Sequence, residues 1–128
     1  MEALTTQGIK VSVETTYQAD YSRPAEGKYI HGYRITIENT GSKTVQLLAR
    51  HWRIKDSDGA FREVKGDGVL GQQPILFPGE HHQYVSWCHL RTDLGRMWGT
   101  YLMVDHLTGE DIEVHIPEFL LTPSFKLN

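Results

Sequence analysis

The residues that could do chemistry gather between Val45 and Pro78, in VQLLARHWRIKDSDGAFREVKGDGVLGQQPILFP. Gly66-x-Gly68-x-x-Gly71 matches, as text, the fingerprint that cradles a dinucleotide pyrophosphate. That chemistry needs a strand before the glycines and a helix after them. The helix amino terminus supplies N–H groups and a partial positive charge to the phosphates. Gln72-Gln73-Pro74-Ile75 does not start such a helix. A glycine-rich turn can still bind an anion through successive N–H groups; Lys65 would help and Asp67 would oppose it. A structural turn that needs positive φ explains the same glycines with no ligand.

Seven histidines raise the question of metal. His81 and His82 are adjacent, so on a strand they point to opposite faces. His31, His51, His89, His106 and His115 are scattered, with no Cys-x-x-Cys or His-Glu-x-x-His partner. His51, His81 and His82 are the set for a borderline ion such as Co²⁺, which suits imidazole; Mg²⁺ would need oxygen ligands. Ser86 and Cys88 are the candidate nucleophiles. Neither sits in a Gly-x-Ser-x-Gly elbow, and His89 follows Cys88 directly, which does not set its imidazole over the thiol. Glu110-Asp111 and Asp56/Asp58 are carboxylate pairs in turn-like contexts, read as solvated. No catalytic set assembles, so an enzyme is not expected. The strand aromatics Trp52, Trp87, Trp98, Tyr33, Tyr84 and Tyr101 read as core.

Composition narrows the partners. The net charge of −3, with no basic run, gives no attraction to nucleic acid or anionic membrane. No apolar run approaches the roughly 20 residues that cross a bilayer. Cys88 is the only cysteine, so no internal disulfide forms, which suits a reducing cytosol. MEALTTQGIK has neither a basic nor an apolar signal region. The expected location is the cytoplasm. The length of 128 residues suits one domain with its own core.

The elements that must position these residues are strands. Ile9, Val11 and Val13 alternate with Lys10, Ser12 and Glu14, after a leader, Met1 to Gln7, without periodicity. Gln18 to Lys28 reads as a long loop. Tyr29 to Glu38 is the next strand, with His31, Tyr33, Ile35 and Ile37 on one face. Val45 to Lys55 follows, but its parity slips: Val45 and Leu47 face one way, then Leu48, Trp52 and Ile54 the other. A β-bulge, or burial on both faces, would produce that slip. Trp52 is then a core anchor. Arg50 lays its stem on the core rim, and His51 points to the opposite face, with Ala49. Arg50 and His51 are the residues expected at an interaction surface, and a loss of function at His51 would mark the face opposite Trp52 as the working one.

Asp58-Gly59 closes a hairpin onto Ala60–Val64. Gln83 to Cys88, Met97 to Val104 and Ile112 to Ile116 are further strands. Met97 to Val104 is apolar on both faces and expected to be central. Pro117 is expected to stop the last strand. The tail EFLLTPSFKLN would add a short strand or a contact. Recurrent turns with no crossover helix predict an all-β antiparallel sandwich or barrel in one domain, with residues 8–122 as the core and 1–7 and 123–128 as extensions.

With these residues read, the chain resembles the ApaG family of small bacterial proteins, whose domain also occurs in F-box proteins and a polymerase-delta-interacting protein. YRITIEN (Tyr33–Asn39), VQLLARHWRIKDSDG (Val45–Gly59), EVKGDGVLGQQPILFPGE (Glu63–Glu80), Tyr84, Ser86, Cys88, GTYLMVD (Gly99–Asp105) and EVHIPEFLL (Glu113–Leu121) carry the resemblance. Asp67 stands where proline is expected in many members. Trp87 and His89 stand where glycine and often proline flank the cysteine. The resemblance implies a fibronectin-type-III or immunoglobulin-like sandwich. It also implies links to cobalt resistance and magnesium efflux, and a gene often beside diadenosine tetraphosphate hydrolase. In the eukaryotic relatives the domain looks like an interaction module. A pyrophosphate role suggested for the glycine loop maps to Gly66, Gly68 and Gly71. The leading expectation is a non-enzymatic binding protein with a protein partner, a possible homodimer, and no cofactor. The alternatives are a phosphate or nucleotide ligand at Gly66, Gly68, Gly71 and Lys65, and a divalent metal on the three histidines.

Overall fold

The computed structural model describes residues 1–123. Among them, nine strands run in chain order: β1 Glu2–Thr6, β2 Ile9–Tyr17, β3 Tyr29–Asn39, β4 Val45–Asp56, β5 Phe61–Asp67, β6 Ile75–Leu76, β7 His81–Leu90, β8 Gly95–Asp105 and β9 Asp111–Leu121. All pairings are antiparallel. One sheet has the order β1-β2-β3-β7; the other has β5-β4-β8-β9, with β6 on β4. This is an antiparallel sandwich built from the strands that the alternation predicts, and it matches the fibronectin-type-III-like fold that the resemblance implies. The loop between β2 and β3 holds two 3₁₀ turns, Ala19–Tyr21 and Pro24–Glu26.

The period-two pattern becomes the core directly. Val11, Val13, Ile35 and Ile37 from one sheet meet Leu47, Tyr101, Met103 and Val114 from the other, all buried. β8 lies between β4 and β9, as its two apolar faces suggest. Trp52 is buried against three rings, Tyr33 at 5.4 Å, Phe119 at 5.9 Å and Tyr101 at 6.5 Å between centroids. The parity slip in β4 is a bulge. Leu47 pairs with Met103 and Ala49 with Leu102, so Leu48 has no partner. Beyond it Trp52 and Ile54 turn inward.

Two expectations fail. Residues 2–6 are not a leader; they pair with β2 through a turn at Gln7 and Gly8, both at positive φ. The polar alternation of an edge strand hid them. Pro117 does not stop β9, which continues to Leu121. Met97 pairs with Phe119 and Gly99 with Ile116, so Pro117 and Glu118 together face Trp98. Proline lacks an N–H, and the bulge leaves that ladder rung unpaired. Positions 124–128 of the tail lie outside the described residues.

His31 is a buried polar residue in β3, 5.2 Å from the Tyr17 ring. Both of its ring nitrogens are buried without a hydrogen-bond partner. Burial disfavours the imidazolium and pushes its pKa down from 6.5 to about 4. Between those values the unfolded chain takes up a proton that the folded chain refuses. The His31 contribution is therefore complete above pH 6.5 and declines as pH falls towards 4. Urea denaturation from pH 7 to 5 should show stability dropping faster in the parent than in His31→Leu; equal slopes would refute this.

The same measurement at neutral pH separates the faces of β4. Trp52→Ala should cost about 3–5 kcal/mol, the range for large aromatic truncations in cores. His51→Ala, on the opposite face, should cost about 1 kcal/mol or less. The reverse ranking would invert the assignment.

Candidate functional site

The glycine segment divides between a strand and a turn. Gly66 and Asp67 belong to β5; Gly68 and Gly71 sit in the turn that follows, at φ 61° and 77°. Gly66 pairs with Arg50. A Cβ on Gly66 would lie 2.8 Å from Arg50 Nη1, so the missing side chain is the space the guanidinium occupies. That nitrogen donates to the carbonyls of Asp67 at 2.9 Å and Gly68 at 3.1 Å. The Gly68 N–H donates to Leu48 O, and Val69 and Gln72 exchange N–H···O bonds. A Cβ on Gly68 would meet the Gln72 carbonyl at 2.3 Å, whereas one on Gly71 meets nothing within 4 Å. The turn therefore directs two carbonyls at its own arginine and uses the Gly68, Val69 and Gln72 N–H groups internally. That geometry accounts for Gly66 and Gly68 as structural positions.

Lys65 faces the other way. It pairs with His51 on the outer face of the second sheet. There the strands form a trough of about 530 Å³. Ala49 and Thr100 make its low floor; His51, Lys65, Asp67 and Glu113 supply charged and polar rims. The His51 side chain is 22% exposed and its Nε2 lies 3.6 Å from Glu63 Oε2, too far for a hydrogen bond. Glu63 also approaches Arg53 Nε at 3.8 Å. The trough lining carries both signs, with Arg50 and Lys65 against Asp67 and Glu113. Arg50 and His51 lie on opposite faces of β4, as their parity predicts: Arg50 turns to the Asp67 and Gly68 carbonyls and His51 lines the trough.

The sandwich closes on one side only. β1 and β9 meet there, and the His115 N–H donates to Thr6 Oγ1 at 3.2 Å. On the other side β7 and β5 are both sheet ends. A cleft of about 200 Å³ lies between them, with Tyr33, Arg50 and Trp52 deep and Arg62, Val64, Ser86 and Cys88 at the walls. Arg62 bridges it, donating to the His89 carbonyl and lying 3.6 Å from Cys88 Sγ. Burial pushes the Cys88 thiol up to about 11, against the opposing pull of Arg62. The thiolate is thus scarce at neutral pH, and Cys88 is a buried small hydrophobe. Behind it the Tyr84 and Tyr101 hydroxyls bond to each other, and burial raises the pKa of both.

The three histidines proposed for metal are not neighbours in the sheets. His51 lies on β4, and His81 and His82 open β7 in the other sheet. Among the described residues no group of three or more His, Cys, Asp or Glu side chains is placed to hold a metal ion.

The site that sequence reasoning missed is aromatic. Trp87 is not core: it sits on the outward face of β7, 51% exposed. Tyr21 meets it edge-on at 5.3 Å and 83°, and Val85 on the same face is 48% exposed. The signal was present in parity, since Tyr84 and Cys88 face inward and Trp87 must oppose them.

Comparison places this geometry among known proteins. A family model described as the ApaG domain matches residues 19–105. A protein called ApaG from Brucella canis is 46% identical over 121 residues, 94% of this chain and 92% of its own length. One from Brucella anthropi is 50% identical over 116 residues, 91% and 88% of the two chains. The crystal structure of a Bordetella pertussis protein called ApaA superposes with a TM-score of 0.88 at 44% identity, covering 91% of this chain and 94% of that one.

The glycines make a matched test of the turn. Gly71→Ala should cost about 1–2 kcal/mol, the left-handed penalty alone. Gly68→Ala should cost distinctly more, because it adds the clash with Gln72. Denaturation midpoints read both; equal losses would refute the assignment.

Proposed function

The chain belongs to the ApaG family, and from that premise we propose that it is a non-catalytic binding protein that recognises a partner protein through the outer face of β7. The observation that carries this reading is Trp87, half exposed and propped by Tyr21 beside Val85. Indoles with that setting are the residues on which protein interfaces anchor. β7 also ends its sheet, so its outer N–H and C=O groups can add a strand from a partner. The protonated Cys88 thiol and the buried tyrosines favour binding over turnover. The link to cobalt resistance and magnesium efflux that the resemblance implies then runs through the partner. The cytoplasm is the matching compartment; no helix among the described residues is long and apolar enough to cross a membrane.

A second reading puts a pyrophosphate or nucleotide at Lys65 and the Gly66–Gly71 turn. The open space around Gly71 and the exposure of Lys65 support it.

Parallel affinity capture on the parent protein and on Trp87→Ser should enrich one partner at least about tenfold on the parent alone, with both folded to similar stability. Steady hydrolysis of ATP, GTP or diadenosine tetraphosphate, abolished by a point change, would overturn the non-catalytic reading. Calorimetric titration with the same nucleotides and pyrophosphate decides the second reading, with Lys65→Ala as the control. Gly68→Val would break the turn whether or not a ligand binds there. Heat that Lys65→Ala removes would support phosphate binding; no heat at millimolar ligand would reject it.

A further inference from the structure

We propose that a second copy of this chain docks on β5, antiparallel to it, about a two-fold axis at Val64. This is independent of the partner face on β7 and rests on other residues. β5 ends the second sheet, pairing only with β4, so one whole side of its backbone is unpaired. The strand extends past the cover of the first sheet. Val64 pairs with Trp52 and faces inward, yet it is 38% exposed.

The sequence of the edge selects the occupant. Phe61-Arg62-Glu63-Val64-Lys65-Gly66-Asp67 alternates charge along its length. Two identical antiparallel strands must place some residue opposite itself, because the pairing is isologous. An axis at Arg62, Glu63 or Lys65 would set like charges directly opposite, which is destabilising. An axis at Gly66 would run β5 into the Gly68 turn within two residues. An axis at Val64 sets Val64 opposite Val64 and Glu63 opposite Lys65, twice. It also sets Arg62, which reaches across the cleft to the His89 carbonyl, opposite Gly66, whose side-chain space the Arg50 guanidinium of the same chain fills.

Lys65 supplies the second argument. Among the described residues no carboxylate lies within ion-pair distance of it. Glu63 is outward-facing and only loosely held, by His51 and Arg53 at 3.6 and 3.8 Å. Charged edges ordinarily deter pairing. Here the alternation deters every long self-pairing except one. The paired surface is small beside a standard interface, so the dimer is a weak, salt-sensitive one.

Sedimentation of the full chain from about 10 µM to about 1 mM should show a reversible monomer–dimer equilibrium. Lys65→Glu and Glu63→Lys should each weaken it at least about tenfold, and the double reversal should restore it to within about threefold. Circular dichroism checks that each variant folds. Mild oxidation of Val64→Cys should link two chains through position 64, leaving Cys88 as the thiol. Monomer at every concentration overturns the proposal. So does a dimer indifferent to the reversals, or no link through position 64. Partner capture by Lys65→Glu is read separately: if it persists, the β7 reading stands whatever becomes of the dimer.

Discussion

One extra residue in β4 governs the second sheet. Leu48 has no partner on β8, so the inward set changes from odd to even positions as the strand passes it. Without that slip Leu47 and Trp52 could not both face the core. The bulge also frees the Leu48 carbonyl, which accepts the Gly68 N–H at 2.8 Å and Gln73 Nε2 at 2.9 Å. The glycine turn is thus tied to the bulge. The same slip aims Arg50 inward and His51 outward. The cleft and the trough are two sides of a single local irregularity.

Arg50 shows how a cation is accommodated at the rim of an apolar core. Its guanidinium lies near the Tyr33, Tyr84 and Tyr101 hydroxyls and offsets part of their burial penalty. Its charge is met by backbone carbonyls rather than by a carboxylate. Carbonyls supply partial negative charge with no added ion to desolvate, so the partly buried site avoids the cost of a second charge. The arrangement requires glycine at 66 for space and at 68 for the backbone bend. Two glycines of the Gly-x-Gly-x-x-Gly pattern, Gly66 and Gly68, thus shape the space and the backbone around an arginine.

The strands and their faces were legible because the period of two survives in nearly every one of them. The parity slip at Leu48 was readable for the same reason: a bulge leaves an arithmetical trace. What misled were residues whose meaning depends on a neighbour distant in sequence. β1 is polar on an edge and exists only because β2 pairs with it. Pro117 reads as a stop until the two-against-one pairing with Trp98 is seen. Trp87 reads as core by type, although parity with Tyr84 and Cys88 turns it outward. At the site, the face of His51 was readable but its separation from His81 and His82 was not. Sheet order is a tertiary fact.

The half-closed sandwich explains why the surfaces divide as they do. On the β1–β9 side the two sheets meet and are joined by Thr6 and His115. On the other side a cleft separates β7 from β5, crossed among the described residues by Arg62, and each end is managed differently. β7 presents apolar area, Trp87 and Val85, outside a strand whose inner face is core. β5 presents alternating charge on a strand with little core of its own. Apolar area supplies affinity for a shape-matched partner, whereas alternating charge mainly fixes register and excludes mismatched strands. The Arg62 bridge to His89 holds the two edges together. Because that bridge spans the cleft, Arg62 is the residue through which a contact made at one edge can reach the other.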